Sequence, residues 1–134
     1  MKFIVLLLMM LAGIIKASSQ DILTQTISWA SGSTRNVTTN TVVSESTTFV
    51  SNIDGGFAWK NADGTFKNNY RIIEAIGEWT NVQMDGRIQY EVTDGKYSGT
   101  IAFTKANNQT RIRISMESDP IEVLELTITG FTAN

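Results

Sequence analysis

Between Asp85 and Met116, in the stretch DGRIQYEVTDGKYSGTIAFTKANNQTRIRISM, apolar and polar residues alternate almost without a break. Ile88, Tyr90 and Val92 alternate with Arg87, Gln89, Glu91 and Thr93. Beyond Asp94-Gly95, Tyr97, Gly99, Ile101 and Phe103 alternate with Ser98, Thr100, Ala102 and Thr104. Beyond Asn107-Asn108, Ile112, Ile114 and Met116 alternate with Arg111, Arg113 and Ser115. Side chains of a strand point to opposite faces with a period of two, so each run has one apolar and one wet face. Three antiparallel strands joined by short turns follow. Asp-Gly suits a type I′ turn, whose central residues need positive φ.

The same alternation is weaker elsewhere but extends along the chain. Leu23, Ile27 and Trp29 share one face of an opening strand from Asp21 to Trp29, and Ala30-Ser31-Gly32-Ser33 reads as a turn or loop. From Arg35 to Ser51 the chain is rich in Thr, Ser and Val, which fit a pleated surface. Its apolar content is thin, so strands here are expected at an edge or with one face fully wet; a disordered Ser/Thr linker is the rival. Residues 52–65 hold two turn clusters, Asp54-Gly55-Gly56 and Asn61–Gly64, around Phe57-Ala58-Trp59. A hairpin with Phe57 and Trp59 facing inward is expected there. Phe66–Trp79 fits either a helix or a strand, and strand is preferred because its neighbours are strands and no helix cap follows Phe66. The adjacent Ile72-Ile73 breaks alternation and implies a bulge or burial on both faces. Val82 and Met84 are expected on one face before an Asp85-Gly86 turn. Glu117–Pro120 is a turn, and Ile121–Phe131 forms the last strand, with a bulge near Val123. The total is about eight to ten short strands in one antiparallel meander, either an all-β barrel of lipocalin-like shape or a sandwich.

The N-terminus is of a different kind. Lys2 precedes the apolar run Phe3–Ile15, and Ala17-Ser18-Ser19 supplies small residues at a cleavage site. The run is well short of the roughly 20 residues that a spanning helix needs. Residues 1–19 are therefore expected to be a cleaved secretory signal peptide, and 20–134 one all-β domain, secreted or periplasmic. Cysteine is absent, which in an exported chain points to a bacterial source. Of the 11 basic residues, Lys2 and Lys16 fall in the leader, leaving 9 against 13 acidic ones and a net charge near −4. No basic stripe is present to neutralise phosphates, so nucleic acid is not an expected partner.

The missing residue types bound the chemistry. The chain has no His and no Cys, which removes Ser-His-Asp and Cys-His nucleophile systems and the usual zinc and haem ligands. Among carboxylates, Glu74 and Glu78 on one strand would lie about 13 Å apart, beyond the range that glycosidases use. Glu117 and Asp119 would lie about 6.6 Å apart, within it, but beside a turn proline. Asn61–Thr65 alternates oxygen side chains around Gly64 without the acidic ligand set of a calcium loop. No enzyme activity, metal or cofactor is expected.

Gly77-Glu78-Trp79 resembles the Gly-X-Trp signature of lipocalins. The match covers three residues, and lipocalins carry it on their first strand, whereas here only about half the strands follow it. The resemblance bears on barrel architecture alone.

The expected function is a secreted, non-catalytic binding domain. One version is a barrel holding a small apolar ligand, with Trp79, Tyr90, Tyr97, Ile101 and Phe103 as lining candidates and small residues such as Gly99 and Ala75 leaving space. The other is a sandwich that binds a glycan or a protein through loops 52–65, with Trp59 as a sugar-stacking candidate. An outer-membrane barrel conflicts with the apolar-poor strands between Arg35 and Ser51. A role in a surface assembly through uncovered strand edges is the third possibility.

Overall fold

The structure, a computed structural model, describes residues 20–133, so the expected signal peptide lies outside the described residues. Eight antiparallel strands follow one another: β1 (Ile27–Asn36), β2 (Thr41–Ile53), β3 (Gly56–Asn61), β4 (Phe66–Ile76), β5 (Gly86–Thr93), β6 (Ser98–Ala106), β7 (Gln109–Met116) and β8 (Glu122–Ala133). Each pairs with its sequence neighbours, and β8 returns to pair with β1. The result is a closed up-and-down barrel, and the sandwich alternative does not apply.

The central meander has the expected register, from Ile88↔Phe103 and Tyr90↔Ile101 to Phe103↔Ile112 and Ile101↔Ile114. Its turns differ in kind. Asn107 and Asn108 both take positive φ (52° and 60°), as do Asp54 and Gly55 (51° and 73°), which is the two-residue I′ pattern. Asp94–Tyr97 is instead a four-residue loop in which only Gly95 has positive φ, 95°. Asp94 organises it as an acceptor: Oδ1 takes the backbone N–H of Lys96 (2.9 Å) and of Tyr97 (2.7 Å). Those two bonds hold its carboxyl below the usual carboxylate range.

Elsewhere the chain departs from strict alternation in identifiable places. Phe66–Ile76 is strand, and Ile73 is a bulge residue, skipped between Ile72↔Val92 and Glu74↔Glu91 and left 56% exposed. Ala30–Ser33 is not a loop but the bulged middle of β1, where pairing jumps from Ser31 to Ser33. This flips the phase of β1, so that Ile27, Trp29 and Ser31 face inward before the bulge and Thr34 and Asn36 after it. On β8 the extra residue is Thr129, skipped between Ile128↔Ser31 and Gly130↔Ala30, whereas pairing around Val123 runs without a shift.

The opening strand is shorter than expected. Asp21–Gln25 is a turn, capped by Asp21 Oδ1 accepting from Leu23 N (2.9 Å), and it buries Ile22 while leaving Leu23 40% exposed. Likewise residues 77–85 are a loop, in which Val82 is buried and Met84 lies 63% exposed.

Inward side chains fill the middle of the barrel. Phe57, Phe49, Trp29 and Tyr90 all pack around Phe103, with ring centroids 5.6–6.1 Å from it. Phe57 and Tyr90 meet edge to face at 4.9 Å. Aromatic pairs at such separations add about 0.5–1.5 kcal/mol each beyond area burial. An eight-stranded barrel is just wide enough for its own side chains to fill the interior. Gly99 lets β6 and β7 approach, since a Cβ there would run into the backbone oxygen of Ser115 and lie 2.9 Å from Met116 Cα.

One end of the barrel is sealed. The segment 20–26 and loop 77–85 cross it, tied by Ile22 N–H donating to Trp79 O (3.3 Å) and Val82 N–H to Gln20 O (3.0 Å). Trp79 is buried, stacks on Trp29 at 5.8 Å, and donates its indole N–H to Met84 O (3.0 Å). Gly86 lies flat against that indole: a Cβ at Gly86 would fall 2.6 Å from Trp79 Nε1.

Candidate functional site

Among the described residues, no segment plugs the opposite end. Here the strand ladders are staggered. β2 pairs with β3 only from Thr47 onward, so Thr41–Ser44 have ladder partners on β1 alone among the described residues, and the register shift skips Glu45 and Ser46. β4 likewise starts five residues before its first pairing with β5, at Arg71↔Thr93. The overhanging strands form the wall of a mouth, and within it lies a cavity of about 530 Å³.

The lining comes from five strands and one turn. β1 gives Thr34 and Asn36, and the following turn gives Thr39; β2 gives Thr41, Val43 and Glu45. β4 gives Lys67, Asn68 and Tyr70, and β8 gives Glu122 and Leu124. Trp59 of β3 completes it, with Phe49 behind at 6.5 Å.

Lys67 enters the mouth through a local irregularity. Pairing of β3 with β4 steps from Trp59↔Asn68 to Lys60↔Phe66, which leaves Lys67 as the extra residue. Its Nζ lies 3.3 Å from Glu45 Oε1 and 5.3 Å from the Trp59 ring centroid. Thr34 Oγ1 also donates to Glu45 Oε1, at 3.4 Å. Glu45 and Lys67 thus neutralise each other at the rim, and the ammonium occupies the electron-rich face of the indole.

Two polar atoms in this region are buried and lack a partner among the described residues: Trp59 Nε1 and Thr47 Oγ1. Trp59 is 3% exposed and Thr47 4%. The other tryptophans differ, since Trp29 donates to Ser51 Oγ (3.0 Å) and Trp79 to Met84 O. A buried donor left unmatched costs about 1–3 kcal/mol. Tyr70 is buried in the same wall, and burial above all, reinforced by the charges of Asp94 and Glu122 against a hydrogen bond with Asn68, pushes its hydroxyl up to about 12. It therefore remains protonated and able to donate at neutral pH.

The sequence candidates fall in three places. Trp59 lines the mouth. Trp79 plugs the sealed end, off the strands altogether, while Tyr90, Ile101 and Phe103 belong to the packed centre. Tyr97 lies half-buried in the β5–β6 loop, with Lys96 Nζ 5.2 Å above its ring, and does not line the cavity. Glu117 and Asp119 lie in the β7–β8 connection, also away from that lining. In the Asn61–Thr65 turn, Asp63 Oδ1 accepts from Thr65 Oγ1 (2.6 Å) and Thr65 N (3.0 Å), which engages the carboxylate within its own turn.

Glu45, Lys67, Asn68, Tyr70 and Glu122 were missed from sequence. A signal for them exists in the inward phase of each strand, which turns polar toward the same end: Phe49–Thr47–Glu45 on β2, Ile72–Tyr70–Asn68 on β4 and Leu126–Leu124–Glu122 on β8. The bulge that turns Lys67 inward has no such signature.

A larger depression, about 660 Å³, lies beside the β3–β4 hairpin and the β5–β6 loop. Its rim includes Ala58, Lys60, Phe66 and Asn69 on the outer side of the wall, and neither buried unpartnered atom of the barrel end lines it. The mouth is the stronger candidate. No family model matches this chain, and comparison with curated proteins and with solved structures gave no significant match.

Proposed function

We propose that this chain is a secreted, non-catalytic binding barrel that takes a small ligand in its open end. The observation that carries this reading is the buried Trp59 indole N–H, which has no protein acceptor and belongs to a side chain lining a cavity of about 530 Å³. Small-molecule sites are typically concavities of about 300–1,000 Å³ with a few convergent polar groups. The sealed end and filled centre leave the mouth as the place where a ligand enters without unpacking the core. Export is supported by Lys2, the run Phe3–Ile15 and the small residues Ala17–Ser19. Outward positions such as Arg87, Glu91, Arg111 and Arg113 are charged and exposed, unlike the apolar outer band of a membrane barrel.

Native mass spectrometry of gently purified protein tests the binding reading. A ligand-sized adduct, lost on denaturation and lost from a Trp59→Phe variant, is the expected result. An adduct that survives in that variant, or a bare monomer from every preparation, argues against it. N-terminal sequencing of protein recovered outside the cell tests export, with Gln20 as the expected first residue.

A second reading rests on the β2 edge. Among the described residues, Thr41–Ser44 is paired on one side only, and Val42 and Val43 are 58% and 51% exposed. Such an edge can add a strand from another chain. A bare oligomer, dispersed by a Val42→Lys substitution, is the outcome that favours this reading.

A further inference from the structure

The mouth has a chemical character that narrows its ligand, and the following rests on the proposal that it binds one. We infer that the open end takes a short, neutral saccharide, one of whose oxygens accepts the indole N–H of Trp59.

Charge excludes the alternatives in turn. Lys67 is the single cation of the lining, and it is already paired with Glu45 at 3.3 Å. Glu122 remains, so an anionic ligand meets a net negative wall. A cationic ligand would seek the face of Trp59, but the protein's own Lys67 ammonium holds that position, 5.3 Å from the ring centroid. A wholly apolar ligand would bury amide and hydroxyl groups of Asn68 and Thr34 against carbon and leave Trp59 Nε1 unmatched.

A neutral polyol fits what is left. Its hydroxyls both donate and accept, as a wall that mixes donors (Trp59, Lys67, Asn68) with acceptors (Glu45, Glu122) requires. The C–H face of a sugar ring has apolar surface to rest on in Val43 and Leu124. Stacking on Trp59 itself, the usual aromatic contact, is not available while Lys67 covers the ring, so Trp59 contributes its edge. This differs from the sugar-stacking role anticipated for it from sequence.

The test uses the full chain as the cell processes it, on a broad printed glycan array, followed by ¹⁵N–¹H spectra of the three indole N–H groups with the best-binding neutral glycan. Octanoate and spermidine serve as anionic and cationic probes. The expected result is a saturable shift of the Trp59 resonance alone, assigned through Trp59→Phe, because the indoles of Trp29 and Trp79 are already bonded inside the barrel. Trp59→Phe and Asn68→Ala should each weaken binding at least tenfold; Asn68 is only partly buried, so its removal spares the fold. If octanoate or spermidine shifts the Trp59 resonance and no glycan does, the saccharide assignment falls while the mouth remains a binding site. No glycan bound, with an adduct still retained in native mass spectra, has the same meaning. If glycans bind but leave the Trp59 resonance unmoved, the mouth is not where they bind and the inference is overturned. With neither glycan, probe nor adduct bound, both this inference and the binding proposal fail together.

Discussion

The two ends of the barrel each carry a buried tryptophan, and the two side chains are treated in opposite ways. Trp79 at the sealed end is stacked on Trp29, bonded to Met84 O and pressed against the bare Cα of Gly86. Trp59 at the open end is equally buried, yet its N–H finds no acceptor and an ammonium covers its face. One indole completes the core. The other holds a hydrogen bond in reserve at the edge of a cavity. Burial alone therefore does not tell these two aromatics apart; the accounting of the polar atom does.

That contrast can be broken by mutation. Trp79→Ala removes the plug and should cost about 3–5 kcal/mol, read as a lowered urea midpoint together with loss of the near-UV signal of the Trp29–Trp79 stack. A cost near zero would mean that the seal is ornamental. Gly86→Ala drives a methyl into the same indole and should cost about 1–3 kcal/mol, with a quenched or shifted Trp79 emission as its signature. At the open end, Asp94→Ala removes two charge-assisted bonds in a loop that is almost fully solvated. Screening reduces the loss to about 0.5–1 kcal/mol at neutral pH. Because the folded carboxyl titrates below its ordinary value of 3.8, its contribution is present above that value and lost as pH falls through the lowered one. Denaturation of parent and variant should accordingly converge in acid. Smallest of all, Trp59→Phe should change stability by less than about 1 kcal/mol, since lost packing is offset by relief of an unmatched donor. A loss as large as that of Trp79→Ala would erase the distinction between the two ends.

The legibility of the chain followed the same divide. Where the inward face is uniformly apolar, as in Ile88-Tyr90-Val92 or Ile112-Ile114-Met116, alternation gave strand, face and register together. Where a bulge shifts the phase, at Ser31–Ser33, Lys67 or Thr129, a period-two reading loses the face of everything beyond it. Ala30-Ser31-Gly32-Ser33 reads as a loop because its small residues are those of turns, and the same residues serve a bulge in β1. The choice between barrel and sandwich depended on whether β8 reaches β1, a pairing across nearly the whole domain that no local pattern encodes. Leu23 and Met84 looked inward-facing because alternation was extended into segments that are turn and loop. Trp59 stands out in sequence for the polar groups near it in the chain, yet its neighbours in space are Phe49 of β2 and Lys67 and Asn68 of β4.

The pairing of Ile27 with Ala133 and of Asn36 with Leu124 also has a consequence in time. The first strand cannot be matched on its second edge until the last one has been made, roughly a hundred residues later. The seven hairpin ladders are local, but this eighth pairing must close a loop of nearly the whole domain, which makes it the slow one. Until then the backbone edges of β1 and β8 stand open to any other extended chain. Ring closure is thus the step that ends this exposure, when the first and last strands meet.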